Sequence, residues 1–90
     1  MTAGVTPPAG AVPERELLAA ALREAGVPDE QYWIEGVHEP APTPPDFVYL
    51  RRAPDGTGWE TGVYERGAHH PAGTDPTEAA ACARLRGLAL

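Results

Sequence analysis

The stretch WETGVYERGAHHPAGTDPTEA, residues 59 to 79, brings Glu60, Glu65, Arg66, His69 and His70 close together along the chain. A glutamate beside a histidine can move protons, adjacent histidines invite a metal ion, and arginine among tyrosines is frequent at protein interfaces. Acid–base work by Glu60 or Glu65 with His69 requires a water-excluding pocket to shift either pKa. A chain of 90 residues has little material for one. Adjacent side chains of an extended segment point to opposite sides, so His69 and His70 do not easily chelate one ion. His38 is remote in sequence, and no spacing matches a zinc motif. Both histidines read as solvated loop residues, and no metal or cofactor is expected. The chain has no serine, which excludes a Ser-His-Asp arrangement, and GTG at 56 to 58 serves a turn rather than a phosphate. What remains is a surface that another protein recognises, and no enzyme is expected.

The elements that must position these residues follow from pattern. PERELLAAALREAG, from Pro13, reads as a helix, with Pro13 in the first turn, Glu14 and Glu16 at the positive end of its dipole and Gly26 closing it. Leu17, Leu18, Ala21, Leu22 and Ala25 form its apolar stripe. All six aromatic residues lie between Tyr32 and Tyr64, where strand propensity concentrates. Three strands are predicted, at 31–37, 47–52 and 58–66, the last two joined by the Pro-Asp-Gly turn of APDGTG. HEPAPTPPD between the first two is too rich in proline for a ladder and reads as an extended loop. Its PTPP, at 42 to 45, matches a minimal polyproline pattern but reads as a stiff connector. A last helix follows, with Asp75 as N-cap, Pro76 first in the helix and Glu78 completing a capping box. Cys82, Leu85, Leu88 and Ala89 form its buried face. The expected fold is α+β, α-β-β-β-α, with a three-stranded antiparallel sheet and both helices on one face. Residues 13–90 form the one domain, and 1–12 a flexible tail.

Alternation along the strands sorts the candidates. Val48, Leu50, Trp59, Val63 and Ile34 fall beneath the helices. The open face then carries Trp33, Tyr49, Arg51, Glu60, Tyr64 and Arg66, with Glu65 beside them at the end of the strand. Tyr, Trp and Arg are the types enriched at interface hot spots. The opposite assignment, with Phe47 and Tyr49 in the core, stays open at this point, as does the plain alternative that these are ordinary cross-strand pairs.

Charge and composition narrow the class. The net charge is −6, from 13 acidic residues against 7 basic ones, all arginine. Neither nucleic acid nor an anionic membrane is an expected ligand, because both need a basic stripe. An acidic surface favours a basic protein partner. A lone cysteine, Cys82, allows no internal disulfide and reads as a small buried hydrophobe. MTAGVTPPAGAVP does not read as a signal peptide, no segment has the length of a membrane span, and a cytoplasmic location is expected.

Three segments together resemble the small α-β-β-β-α immunity proteins of bacterial polymorphic toxin systems. They are LLAAALREAGVPDEQYWI, with Gly26, Val27 and Pro28; GWETGVYERG, with Trp59, Glu60, Tyr64, Glu65, Arg66 and Gly67; and DPTEAAACARL, with Thr77, Glu78, Ala81 and Cys82. The tyrosine stands one position off that pattern, and the insert at 39 to 45 is longer. The resemblance spans most of residues 14 to 88. It implies a protein that binds a cognate toxin domain and blocks it, the chemistry residing in the toxin. A regulatory or adaptor protein binding an enzyme encoded nearby is the alternative.

Overall fold

Pro13, extended at φ −63°, leads into α1 (Glu14–Glu24), whose first turn carries Glu14 and Glu16 and whose last carries Arg23. The computed structural model describes residues 13–90, so the tail expected at 1–12 lies outside the described residues. Helix α1 ends in a Schellman motif: Val27 donates its amide to the Leu22 carbonyl and Gly26 to that of Arg23. Gly26, at φ +85°, supplies the left-handed residue this requires. A single 3-10 turn at Asp29–Gln31 then delivers β1 (Tyr32–Ile34), and β2 (Asp46–Arg52), β3 (Trp59–Glu65), β4 (Ala68–Asp75) and α2 (Glu78–Ala89) follow.

The sheet has four strands in the order β1-β2-β3-β4, and it is mixed. The expectation of three antiparallel strands is corrected on both counts. First, β1 runs parallel to β2, Tyr32 lying beside Val48 and Ile34 beside Leu50. A tight reversal at 35–37 pairs His38 back onto Ile34 through two 2.8 Å bonds. The proline-rich stretch then carries the chain to the start of β2, the long crossover that a parallel pair needs. Second, AHHPAGTD is a strand, where a loop holding two histidines was expected. It pairs antiparallel with β3 from Glu65↔Ala68 to Trp59↔Asp75, with a bulge opposite Thr61/Gly62. The segment lacks aromatic residues, and Thr74 is its one β-branched residue. It lies along the sheet edge and is largely exposed.

Both helices cover one face, the one bearing Val48, Leu50, Trp59 and Ile34 as expected. The core joins Leu18, Ala19 and Leu22 of α1 and Ala81, Cys82 and Leu85 of α2 to Tyr32, Ile34, Leu50 and Trp59. Each helix is rotated from its expected stripe. Leu17 is 52% exposed and Ala25 also faces water, while Ala19 is buried; Leu88 is 40% exposed, and Ala81 takes an inner position. With two helices sharing a short sheet, positions near the helix–helix contact outrank those of one amphipathic stripe. Val63, expected inside, is exposed because the helices do not reach its end of the sheet.

The cap of α2 is also corrected. Thr77, extended at φ −121°, accepts the Ala80 amide at 3.2 Å and is the N-cap. Asp75 still belongs to β4 and pairs with Trp59, so the helix starts later and the Asp75 carboxylate binds Arg84 instead. Glu78 completes no capping box; it binds Arg15 at 2.9 Å and ties the two helix starts together.

Candidate functional site

The helix-free face is built by the residues that alternate with the core set on β2 and β3. Cross-strand register sets them in rows: Phe47–Tyr64–His69, then Tyr49 beside Gly62, then Arg51–Glu60–Thr74, with Trp33 next to Tyr49 on β1. Aromatic contacts bind the first row. Phe47 and Tyr64 stack with ring centres 4.6 Å apart, and the His69 ring stands nearly perpendicular to those of Tyr64 and Tyr49, at 5.0 and 4.7 Å between centres. Gly62 makes this possible, since a Cβ there would meet the Tyr49 hydroxyl at 2.9 Å as well as the backbone of β4.

At the centre is a closed polar unit. The Tyr49 hydroxyl donates to Glu60 Oε2 at 2.6 Å, and Arg51 donates to the same oxygen from Nε at 3.0 Å and approaches it through a second nitrogen at 2.9 Å. The Arg51 guanidinium also lies 5.5 Å from the Tyr49 ring centre. Tyr49 is fully buried and Glu60 only 6% exposed. Burial first, then the hydrogen bond to Glu60, raises the Tyr49 phenol above its usual range, so it stays protonated and donates. Burial, then the nearby Arg51 charge, lowers the His69 pKa and keeps the ring neutral near pH 7. No hydrogen bond joins His69 to Glu60, whose carboxylate is already engaged. The unit is a brace: it fixes the buried Tyr49 ring and, above it, the partly exposed Arg51 guanidinium.

The seven residues singled out from sequence therefore divide. Trp33, Arg51 and Tyr64 are partly exposed, Glu65 and Arg66 are open to water, and Tyr49 and Glu60 lie inside, reaching the surface only through Arg51 and the rings. Glu65 falls on the helix-side parity of β3 yet opens to solvent, because the helices stop short. Arg66 and Gly67 form the two-residue turn into β4, with φ of +54° and +79°. Two positive φ values are the mark of a type I′ turn, which favours Asn-Gly; arginine there is unusual.

Beside this turn the proline-rich connection comes back over the end of the sheet. Thr43, Pro44, Pro45 and Asp46 face Tyr64, Glu65, Arg66 and Gly67 across a groove of about 460 Å³. Sequence reasoning reads 42–45 as a stiff connector that could join a binding surface, but does not place 43–46 against 64–67. The available signal was the pair of prolines immediately before a strand, which stiffens the entry to β2.

His69 and His70 fall on opposite faces of β4, and among the described residues no group of three or more His, Cys, Asp or Glu is placed to hold a metal ion. Cys82 is buried on the inner face of α2, and burial pushes its thiol up to about 11, which makes it a poor nucleophile. Among the described residues no helix is long and apolar enough to cross a membrane. The aromatic rows on a four-stranded sheet suggest a stacking platform for bases, but Phe47 and Tyr49 are buried and the net charge is −6. No protein-family model matches the chain, and neither the search of curated proteins nor that of solved structures found a match.

Proposed function

We propose that the chain is a non-enzymatic immunity protein, which binds a cognate bacterial toxin domain and neutralises it. The observation that carries this reading is the brace on the helix-free face. Its buried Glu60 holds both Tyr49 and Arg51 through Oε2, so the carboxylate best placed for chemistry serves to hold interface-type side chains still. Pre-set side chains lose less entropy on association, which is how a small rigid surface reaches useful affinity. The resemblance of the WETGVYERG, AGVP and DPTEAAAC segments to immunity proteins supplies the class of partner. A net charge of −6 suits a basic toxin such as a nuclease.

Affinity purification of the tagged protein from its own host, with mass spectrometry of what remains bound, tests the reading. A stoichiometric partner ending in a small toxin-like domain is the expected result. Capture of a metabolic or regulatory enzyme instead would make the chain an adaptor. With the partner in hand, Tyr64→Ala and Trp33→Ala each weaken binding by ~2 kcal/mol or more while circular dichroism stays unchanged. Unchanged affinity for both removes this surface from the binding site.

A further inference from the structure

Resting on the partner-binding reading, the geometry points to the groove between residues 43–46 and 64–67 as the socket for a basic, extended segment of the partner, an arginine or lysine side chain seated between the Asp46 and Glu65 carboxylates. Asp46 and Glu65 stand directly opposite each other across the β2–β3 ladder. Like charges placed this way repel, and no cation among the described residues lies within ion-pair distance of either one. Arg66 lines the same groove but does not neutralise them, and the two carboxylates outnumber it. Both carboxylates are exposed and free to take a ligand; elsewhere Glu60 pairs with Arg51, Glu78 with Arg15 and Asp75 with Arg84, and the half-buried Glu35 accepts the Arg52 amide.

The walls favour one shape of ligand. Pro44 is buried and Pro45 adjoins it, so this side is stiff. The opposite side is the end of β3 with its turn, Tyr64 to Gly67, held by the β2–β3 ladder, while the Tyr64 ring itself turns to the other sheet face against Phe47 and His69. A stiff proline wall beside two carboxylates accepts the methylene stem of a long cationic side chain at little ordering cost. The volume, about 460 Å³, is enough for one or two side chains and too small for a folded element.

The probe is a synthetic peptide of alternating proline and arginine, titrated into the full ¹⁵N-labelled chain, with the same peptide carrying glutamate for arginine as control. The expected result is saturable shifts concentrated at amides 43–46 and 64–67 for the arginine peptide alone. The double variant Asp46→Asn, Glu65→Gln weakens this binding at least about tenfold, whereas Glu24→Gln, Glu30→Gln, on exposed positions outside the groove, leaves it unchanged. Removing a repulsive pair does not threaten folding, and a thermal melt confirms it. Shifts spread over the whole acidic surface, no shifts, or equal losses in both double variants overturn the socket. Partner capture separates the two readings. If the wild type and the Asp46→Asn, Glu65→Gln variant retain the same partner equally well, the socket is wrong and the binding role stands; a wild type that retains nothing removes the binding role, while the peptide titration still decides the socket.

Discussion

The two ends of the β2–β3 hairpin use their charges in opposite ways. At the Trp59 end, Arg15 binds the Glu78 carboxylate through its amide and Nε and reaches the Glu35 carbonyl at 2.6 Å. The Glu35 carboxylate receives the Arg52 amide, and the guanidinium groups of Arg15 and Arg52 stand 4.9 and 4.7 Å from the Trp59 ring. Asp75 and Arg84 close the same end. At the other end, Asp46 and Glu65 face each other unneutralised, and Arg66 sits at positive φ. One end joins both helix starts to three strands. The other holds nothing together and bears a local cost. Charges that cost stability without fixing an element are the ones a partner can use.

The largest effect that checks this contrast is at the paired end. Trp59→Ala removes a core ring together with the platform for two arginines and lowers unfolding free energy by about 3–5 kcal/mol in denaturant titration. A loss under about 1 kcal/mol would mean that this end is not the anchor. Arg15→Ala follows at about 1–2 kcal/mol, since its ion pair is partly exposed but its hydrogen bonds and ring contact reinforce one another.

The centre of the sheet offers a pH test. The folded-state pKa of Tyr49 lies above its ordinary value of 10.0, so both states are neutral below about pH 10. Above that, the unfolded chain ionises first and gains stability, and the protein weakens as pH rises toward the folded pKa. The stability advantage of wild type over Tyr49→Phe should therefore shrink between about pH 9 and pH 11. An advantage constant over that range would show that the phenol is not buried against Glu60.

The smallest effects belong to the unpaired end and carry the opposite sign. Arg66→Asn relieves the positive φ and raises stability by about 0.5 kcal/mol, and Asp46→Asn adds a few tenths by removing the repulsion, on the order of 0.2–0.5 kcal/mol. Both are read from melting midpoints. If either variant were clearly less stable, that end would be structural after all and the comparison would fail.

Local chemistry made part of this legible. The first helix and its glycine stop, the Pro-Asp-Gly hairpin and the inward set Ile34, Val48, Leu50 and Trp59 follow from 3.6- and 2-residue periods and from turn residues, which act over a few positions. The fourth strand was not legible because AHHPAGTD owes its conformation to β3, which lends it hydrogen bonds while its own side chains meet water. The N-cap at Thr77 was missed for the same cause: pairing with Trp59 kept Asp75 in the sheet. The seven candidate residues were collected by type and parity, but their division into inner brace and outer surface depends on which groups lie across the ladder.

The sequence by itself determined the start and stop of the first helix, the main hairpin and which strand residues share a face, because each depends on neighbours a few residues away. Only the tertiary structure decided that β1 is parallel, that β4 exists, that Glu60 is enclosed by Tyr49 and Arg51, and that residues 43–46 meet 64–67 across a groove. Those outcomes rest on groups distant in sequence satisfying one another's hydrogen bonds and charges, and no local pattern encodes such a match.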